Sequence, residues 1–143
     1  MKSFKFWRCW LIILSSIIIL FGLFLVLFSN TKLFTPFNIL INGSFPVNEG
    51  LNVPNRLLIW LYAILGATMI GWGIFILYLL QNAFARKERW TWYAISVGML
   101  AWFIPDTFMS YFCGAYFNVI LNSFLFLAFL MPLIFTFKVF NRK

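Results

Sequence analysis

Four polar side chains lie near one another in a stretch of sequence that is otherwise almost wholly apolar. They are Asp106, Ser110, Asn118 and Asn122, and Gly114 lies midway between them. A carboxylate beside hydroxyl and amide groups can bind a ligand, relay protons or line an ion path. Their spacing decides whether these side chains can act together.

The spacing is symmetric about Gly114, which is the strongest turn residue in the middle of this run. Asp106 and Asn122 are each eight residues from the glycine, and Ser110 and Asn118 are each four. In a helical hairpin, at ~1.5 Å per residue, the pairs lie roughly 12 Å and roughly 6 Å below the outer surface. Residues four apart share a helix face. We therefore expect Asp106 opposite Asn122 and Ser110 opposite Asn118.

Two further residues complete a predicted ligand-binding pocket that opens to the outer surface. An aspartate that faces lipid costs ~3 kcal/mol or more, so Asp106 is expected to point into the bundle. Arg56 begins an apolar run from the outer side, and its long side chain is expected to reach Asp106. Trp102, one turn below Asp106, is expected to form the floor. The predicted ligand-binding residues are Arg56, Trp102, Asp106, Ser110, Asn118 and Asn122.

The same polar residues also fit two other interpretations. Hydrogen bonds between helices often serve only for packing in membrane proteins, where each contributes about 0.6 kcal/mol on average. In that case Asp106 and Asn122 would only lock the hairpin. The second alternative is a proton relay or an ion path that uses Asp106.

Missing residue types exclude several classes of enzyme. The chain has no histidine, which excludes Ser–His catalysis and histidine-ligated metals. It also has no C-x-x-C, no P-loop and no dinucleotide-binding fingerprint. We therefore expect no catalytic residues, no metal site and no cofactor.

The composition indicates an integral membrane protein with a single all-α domain. Of the 143 residues, 64% are hydrophobic, and the mean hydropathy is +0.95. Soluble domains are about 45–50% apolar. Only three acidic residues are present, so the chain cannot cover a globule with polar groups. Lipid must therefore be its solvent.

Four apolar segments predict a four-helix transmembrane bundle. A span needs ~20 apolar residues. The first segment follows a basic start, as in a cleaved signal peptide, but it is longer than the 7–15 apolar residues typical of such peptides, which favours a retained anchor. The outer loop keeps apolar side chains and is expected to lie against the outer surface with a short interfacial helix. The predicted spans are about 8–28, 57–80, 90–112 and 115–137, and the loop is 29–53.

The distribution of charge predicts the orientation. The net charge is +8, and the basic residues cluster beside apolar segments, at positions that lie on one side of a four-span chain. The positive-inside rule then puts both termini in the cytoplasm. No soluble basic face exists for nucleic acid, so we expect membrane lipids as partners and no nucleic acid. The three clusters are Lys2, Lys5 and Arg8; Arg86, Lys87 and Arg89; and Lys138, Arg142 and Lys143.

Small residues recur every four positions in the second span, at Ala63, Ala67 and Gly71. Such a stripe lets two helix backbones approach closely. It predicts close packing within the bundle or, as the alternative, a homo-oligomer interface.

The second half of the chain resembles small, uncharacterised bacterial four-span membrane proteins. The resemblance rests on "RKERWTWYAISVGMLAWFIPDT" and "YFNVILNSFLFLAFLMPLIFT", with "LGATMIGWGIF" similar in character. The shared pattern is a basic and aromatic start, an aspartate near the outer end and asparagines in the last helix. The resemblance implies the fold and a bacterial inner-membrane location, and it implies no activity.

Three functions follow from these observations, in order of preference. The first is a non-catalytic role, either binding a small or lipid-like molecule in the outward pocket or acting as an accessory subunit. The second is a small oligomeric transporter or channel that uses Asp106. The third is a membrane enzyme that acts on a lipid with Asp106 as acid–base.

Overall fold

The computed structural model describes residues 2–44 and 55–141, and this part of the chain forms helices and no strand. The all-α class is therefore confirmed. A short 3₁₀ turn at Lys32–Phe34 precedes α2. The helices are α1 (Lys2–Phe28), α2 (Thr35–Ser44), α3 (Asn55–Gln81), α4 (Arg89–Phe112) and α5 (Tyr116–Phe140).

Within the described ranges, three helices are long and apolar enough to cross a membrane, namely α1, α3 and α5. The helix α4 is not among them, although it has 24 residues. Its sequence includes Pro105, Asp106 and several Ser, Thr, Trp and Tyr residues, which lower its hydropathy. The structure thus supports a helical protein with three candidate spans, and the fourth span stays a prediction.

The helix bounds follow the predicted segments closely. The ranges 8–28, 57–80 and 90–112 lie within α1, α3 and α4, and 115–137 begins one residue before α5. The loop predicted at 29–53 contains α2, while its part from 45 to 53 lies outside the described residues. Phe34 is buried against Tyr62, with ring centroids 4.8 Å apart, so this segment packs on the bundle.

The helices α1 and α3 pack antiparallel with a seven-residue step along each helix. A side chain on Gly66 is sterically excluded, because its Cβ would lie 2.5 Å from the Gly22 carbonyl oxygen. Two heptads further along, Arg8 Nε donates to the Leu80 carbonyl at 2.9 Å. A seven-residue repeat keeps one face of a helix against its partner in a left-handed pair. The successive contacts are Gly22–Gly66, Ser15–Gly73 and Arg8–Leu80.

The small-residue stripe predicted to pack within the bundle is not the one that the structure uses. Gly71 has no atom within 4 Å of the position of a Cβ, and Ala67 is exposed. Gly66 and Gly73 form the close contact instead. The predicted stripe has a spacing of four residues and comprises Ala63, Ala67 and Gly71. It lies beside the face of α3 that meets α1, on which the contacts recur every seven residues. Their role in a homo-oligomer stays a prediction.

A tight turn joins α4 and α5 at the predicted break. Gly114 has φ of 77°, a left-handed conformation that glycine adopts at little cost. The amide of Ala115 donates to the Ser110 carbonyl at 2.8 Å and closes the end of α4. Further along the pair, Phe103 stacks on Phe126 with ring centroids 4.2 Å apart. The break at Gly114 is therefore confirmed.

One end of the bundle brings the start of α1, the α3–α4 turn and the end of α5 together. Phe4 packs against Phe84 and Phe140, with ring centroids 5.7 and 5.9 Å away. We call this the basic end. The opposite end carries Lys32 and Arg56. The described basic residues at the basic end are Lys5, Arg8, Arg86, Lys87, Arg89 and Lys138.

The α3–α4 turn is held by Glu88. Its carboxylate accepts hydrogen bonds from Arg86 Nε and Trp90 Nε1, each at 2.6 Å. These two bonds, with that of Arg86 the larger influence, lower the pKa of Glu88. A carboxyl whose pKa is lowered in the folded state stabilises the fold above its unfolded pKa. That stabilisation is lost as pH falls through the lowered folded pKa.

The α1–α3 contact predicts different effects for two glycines on the same helix. Gly66→Ala forces a methyl group against the backbone of α1, and overpacking of this kind typically costs about 1–3 kcal/mol. The methyl group added by Gly71→Ala would have no atom within 4 Å, so this substitution is expected to leave stability unchanged or to raise it, because alanine has the higher helix propensity. Reversible unfolding in mild detergent measures both. Equal effects of the two substitutions would contradict the contact.

The Glu88 hydrogen bonds predict a shifted titration. The NMR signal of the Trp90 indole N–H should titrate with a midpoint below the ordinary pKa of glutamate, and Trp90→Phe assigns the signal. Arg86→Gln should raise that midpoint, because it removes the main cause of the shift. Lys87→Gln is the control, because it also removes one positive charge but Lys87 makes no hydrogen bond to Glu88. Equal shifts in both variants would refute the role of Arg86.

Candidate functional site

The candidate site lies between α4 and α5, next to their connecting turn. Phe103 and Ser110 lie on the face of α4 that meets α5, since Phe103 stacks on Phe126 and Ser110 is buried. Thr107 lies between them on the same face, one turn after Phe103. Asp106 is the preceding residue, so it lies at the edge of this face and is half-buried.

Asn118 on α5 connects the polar side chains of α4. Its Nδ2 group donates to Ser110 Oγ at 2.7 Å and to Asp106 Oδ1 at 3.1 Å. Ser110 Oγ lies 2.7 Å from the Asp106 carbonyl oxygen and 3.3 Å from Oδ1. The Asn118 amide thus donates to one carboxylate oxygen, and the Ser110 hydroxyl, which bonds mainly to the backbone carbonyl, makes a longer contact with the same oxygen. We call Asp106, Ser110 and Asn118 the aspartate cluster.

The structure brings together part of the pairing expected from the sequence. Ser110 lies opposite Asn118, as the symmetric spacing about Gly114 predicts. Asp106 does not pair with Asn122, because Asn122 Nδ2 lies 3.5 Å from Thr107 Oγ1 instead. The predicted depth of these residues along the hairpin is therefore correct. The predicted rotation of α4 about its axis is wrong, since Thr107 rather than Asp106 points directly at α5.

Arg56 does not join the cluster. It is exposed, and the one ion pair within the described residues is Arg86–Glu88. The Trp72 and Trp102 rings are 5.7 Å apart and fix the relative level of α3 and α4. Arg56 is sixteen residues outward from Trp72, whereas Asp106 is four outward from Trp102. At ~1.5 Å per residue, Arg56 lies about 18 Å beyond Asp106, which is too far for its side chain.

Trp102 lies one turn inward from Asp106, as expected, and packs in the core. Its ring contacts Trp72 on α3 and Phe103 on its own helix. On the outer side of the two tryptophans, Thr68 follows one turn beyond Trp72 and Asp106 one turn beyond Trp102. Thr68 is exposed, and its hydroxyl donates to the Ile64 carbonyl of its own helix.

The two oxygens of the Asp106 carboxylate differ in their hydrogen bonds. Among the described residues, the hydrogen bonds to this side chain all reach Oδ1, and no donor reaches Oδ2. The cluster therefore holds the carboxylate in a fixed orientation and leaves one acceptor oxygen without a partner from these residues. Such an oxygen can accept an N–H or O–H donor from another molecule.

Sequence reasoning missed Thr107, Thr68 and Trp72. The first could have been found from the row Phe103, Thr107 and Ser110, which marks the α5-facing side once Ser110 is assigned to the interface. The other two could not, because they depend on how α3 sits against α4. Within the described ranges, no group of three His, Cys, Asp or Glu residues is placed to hold a metal ion.

No protein-family model, no curated protein and no solved structure matches this chain. The resemblance to small bacterial four-span proteins therefore stays a prediction. The chemistry of the site must be argued from its own geometry.

The geometry predicts which asparagine is coupled to Asp106. In double-mutant cycles, Asp106→Ala with Asn118→Ala should show a coupling energy near the average of about 0.6 kcal/mol measured for intramembrane hydrogen bonds. Asp106→Ala with Asn122→Ala is the matched control and should be additive, because the two side chains are not bonded. Reversible unfolding in bicelles gives the four free energies. Coupling to Asn122 alone would restore the pairing expected from the sequence.

Proposed function

We propose that the chain is a four-span protein of a bacterial inner membrane with both termini in the cytoplasm. The argument for α4 as a span is its pairing with α5, which is itself long and apolar enough to cross. Trp92 Nε1 donates to the Leu133 carbonyl near one end of the pair, and Ser110 meets Asn118 near the other. A helix that pairs with a span over this length crosses the same depth.

The exposed face of α4 supports the same proposal. Val97, Leu100, Ile104 and Phe108 are exposed and apolar, as a lipid-facing surface requires. Ser110 and Thr91 are buried. These two hydroxyl-bearing residues thus lie on the inner side of α4, where they cost less than in contact with lipid.

The gathering of basic residues at one end supports the cytoplasmic placement of the termini. The N-terminal segment, the α3–α4 turn and the C-terminal segment meet there through Phe4, Phe84 and Phe140. Clusters of Lys and Arg beside spans favour the cytoplasmic side. The opposite end then carries α2 and the Gly114 turn on the outer side.

For the function, we propose a non-catalytic role in which the protein binds a small or lipid-like molecule at Asp106. The observation that carries this proposal is the asymmetry of the Asp106 carboxylate. Asn118 and Ser110 hold Oδ1, and no described donor reaches Oδ2. A role in packing is satisfied by Oδ1, and Oδ2 is left as an acceptor that can take an N–H or O–H donor from a ligand.

A crevice between α3 and α4 is the proposed location of the molecule. Its floor is the contact between Trp72 and Trp102. Thr68 lies one turn outward from Trp72 and Asp106 one turn outward from Trp102, so we place them on the two walls of this crevice. The Thr68 hydroxyl bonds within its own helix, and the Asp106 carboxylate bonds to α4 and α5. A molecule entering from the outer surface would therefore present an N–H or O–H donor to Oδ2 and apolar atoms to the tryptophans.

Asp106→Asn tests the proposal, because it keeps an oxygen for Asn118 and replaces the free acceptor with a donor. We expect native mass spectrometry of wild-type protein in mild detergent to show a bound molecule that Asp106→Asn loses. The thermal unfolding midpoint should also fall to that of wild-type protein stripped of the molecule. Glu88→Gln removes the same charge at the other end and should retain the molecule.

Two outcomes would contradict this function. If Asp106→Asn retains the bound molecule and only lowers stability, the cluster serves packing. If proteoliposomes show a pH-dependent flux that Asp106→Asn abolishes, the protein is a transporter.

A further inference from the structure

A second apolar feature lies away from Asp106, on the surface shared by α4 and α5 towards the basic end. It is a groove of about 190 Å³. Its wall on α4 includes Trp92, Ser96 and Leu100, and its wall on α5 includes Phe126, Leu130 and Ile134. Ser96 donates to the Trp92 carbonyl, so its hydroxyl is satisfied within α4. A flexible apolar chain can fill such a groove.

Two cations continue the walls of this groove at the basic end. Arg89 lies three residues before Trp92, on the same stripe of α4, and Lys138 lies four residues after Ile134 on α5. Both are exposed. The bond between Trp92 Nε1 and the Leu133 carbonyl sets the register of the pair and puts Arg89 and Lys138 at a similar level.

Neither cation has an acidic partner among the described residues, where Arg86–Glu88 is the only ion pair. The Arg89 guanidinium lies 5.6 Å from the centre of the Tyr93 ring, and one of its Nη atoms is 3.3 Å from the Tyr93 hydroxyl. The remaining donors of Arg89 and the ammonium of Lys138 are therefore available to an anion. Arg is well suited to bind phosphate through two parallel hydrogen bonds.

We propose that this groove binds one anionic phospholipid, with an acyl chain between α4 and α5 and the phosphate between Arg89 and Lys138. Charge complementarity decides the occupant. Helical spacing puts two cations one turn beyond the groove, and the groove itself is lined almost wholly by apolar surface. This site is separate from Asp106 and does not depend on the function proposed for that residue.

The test compares phosphatidylglycerol with phosphatidylcholine of the same acyl chains, added to the delipidated full-length protein in mild detergent. Native mass spectrometry counts the bound lipids. We expect tighter binding of phosphatidylglycerol, and Arg89→Gln with Lys138→Gln should weaken it by about tenfold or more, since two charged hydrogen-bond donors are lost. Lys5→Gln with Lys87→Gln removes the same charge at the same end and should change it little.

A second pair of variants tests the acyl chain. Leu130→Trp fills the groove and should abolish preferential binding of phosphatidylglycerol. Leu127 is exposed on α5 outside the groove, so Leu127→Trp is the control and should retain that preference. Equal affinity for both lipids would overturn the proposal. So would equal losses in the two charge pairs, or equal binding by the two tryptophan variants. Asp106→Asn should leave phosphatidylglycerol binding unchanged, which separates this test from that of Asp106.

Discussion

Hydrocarbon offers no hydrogen-bond partners, so a polar group within the apolar helices is stabilised by a partner inside the chain. Most hydroxyls here bond to the carbonyl one turn earlier on their own helix, as Ser15 does with Leu11 and Thr136 with Pro132. The longer polar side chains instead reach another helix. Trp10 bonds to the carbonyl of Ala128, and Arg8 to that of Leu80. These bonds tie the helices together without exposing a polar group to lipid.

The same constraint explains why the bundle consists of two different pairs. The α1–α3 pair packs by backbone proximity at Gly22 and Gly66, and its Ser15 and Thr68 hydroxyl groups bond within their own helices. The α4–α5 pair carries the acid and the amides and packs through hydrogen bonds and stacked rings. Trp10 on α1 then joins the first pair to α5. The aspartate cluster therefore lies wholly within the second pair.

The candidate site could be predicted only in part. The symmetric spacing about Gly114 gave the correct depth for Ser110 opposite Asn118, because rise per residue is nearly constant in helices. It gave the wrong partner for Asp106, because a change of one residue rotates a helix face by about 100°. The Arg56 expectation failed for a related reason, since the relative level of α3 and α4 depends on the Trp72–Trp102 contact.

The sequence by itself determined the all-α class, the bounds of the helices to within a few residues at most ends, and the break at Gly114. Hydropathy, charge and turn propensity act locally, and local preferences are readable along a chain. Only the tertiary structure decided which glycines touch another helix, which asparagine holds Asp106, and that α4 and α5 form a groove between Trp92 and Leu130. Those outcomes depend on the rotation and register of whole helices, which are set by the sum of many small packing contacts rather than by any single residue.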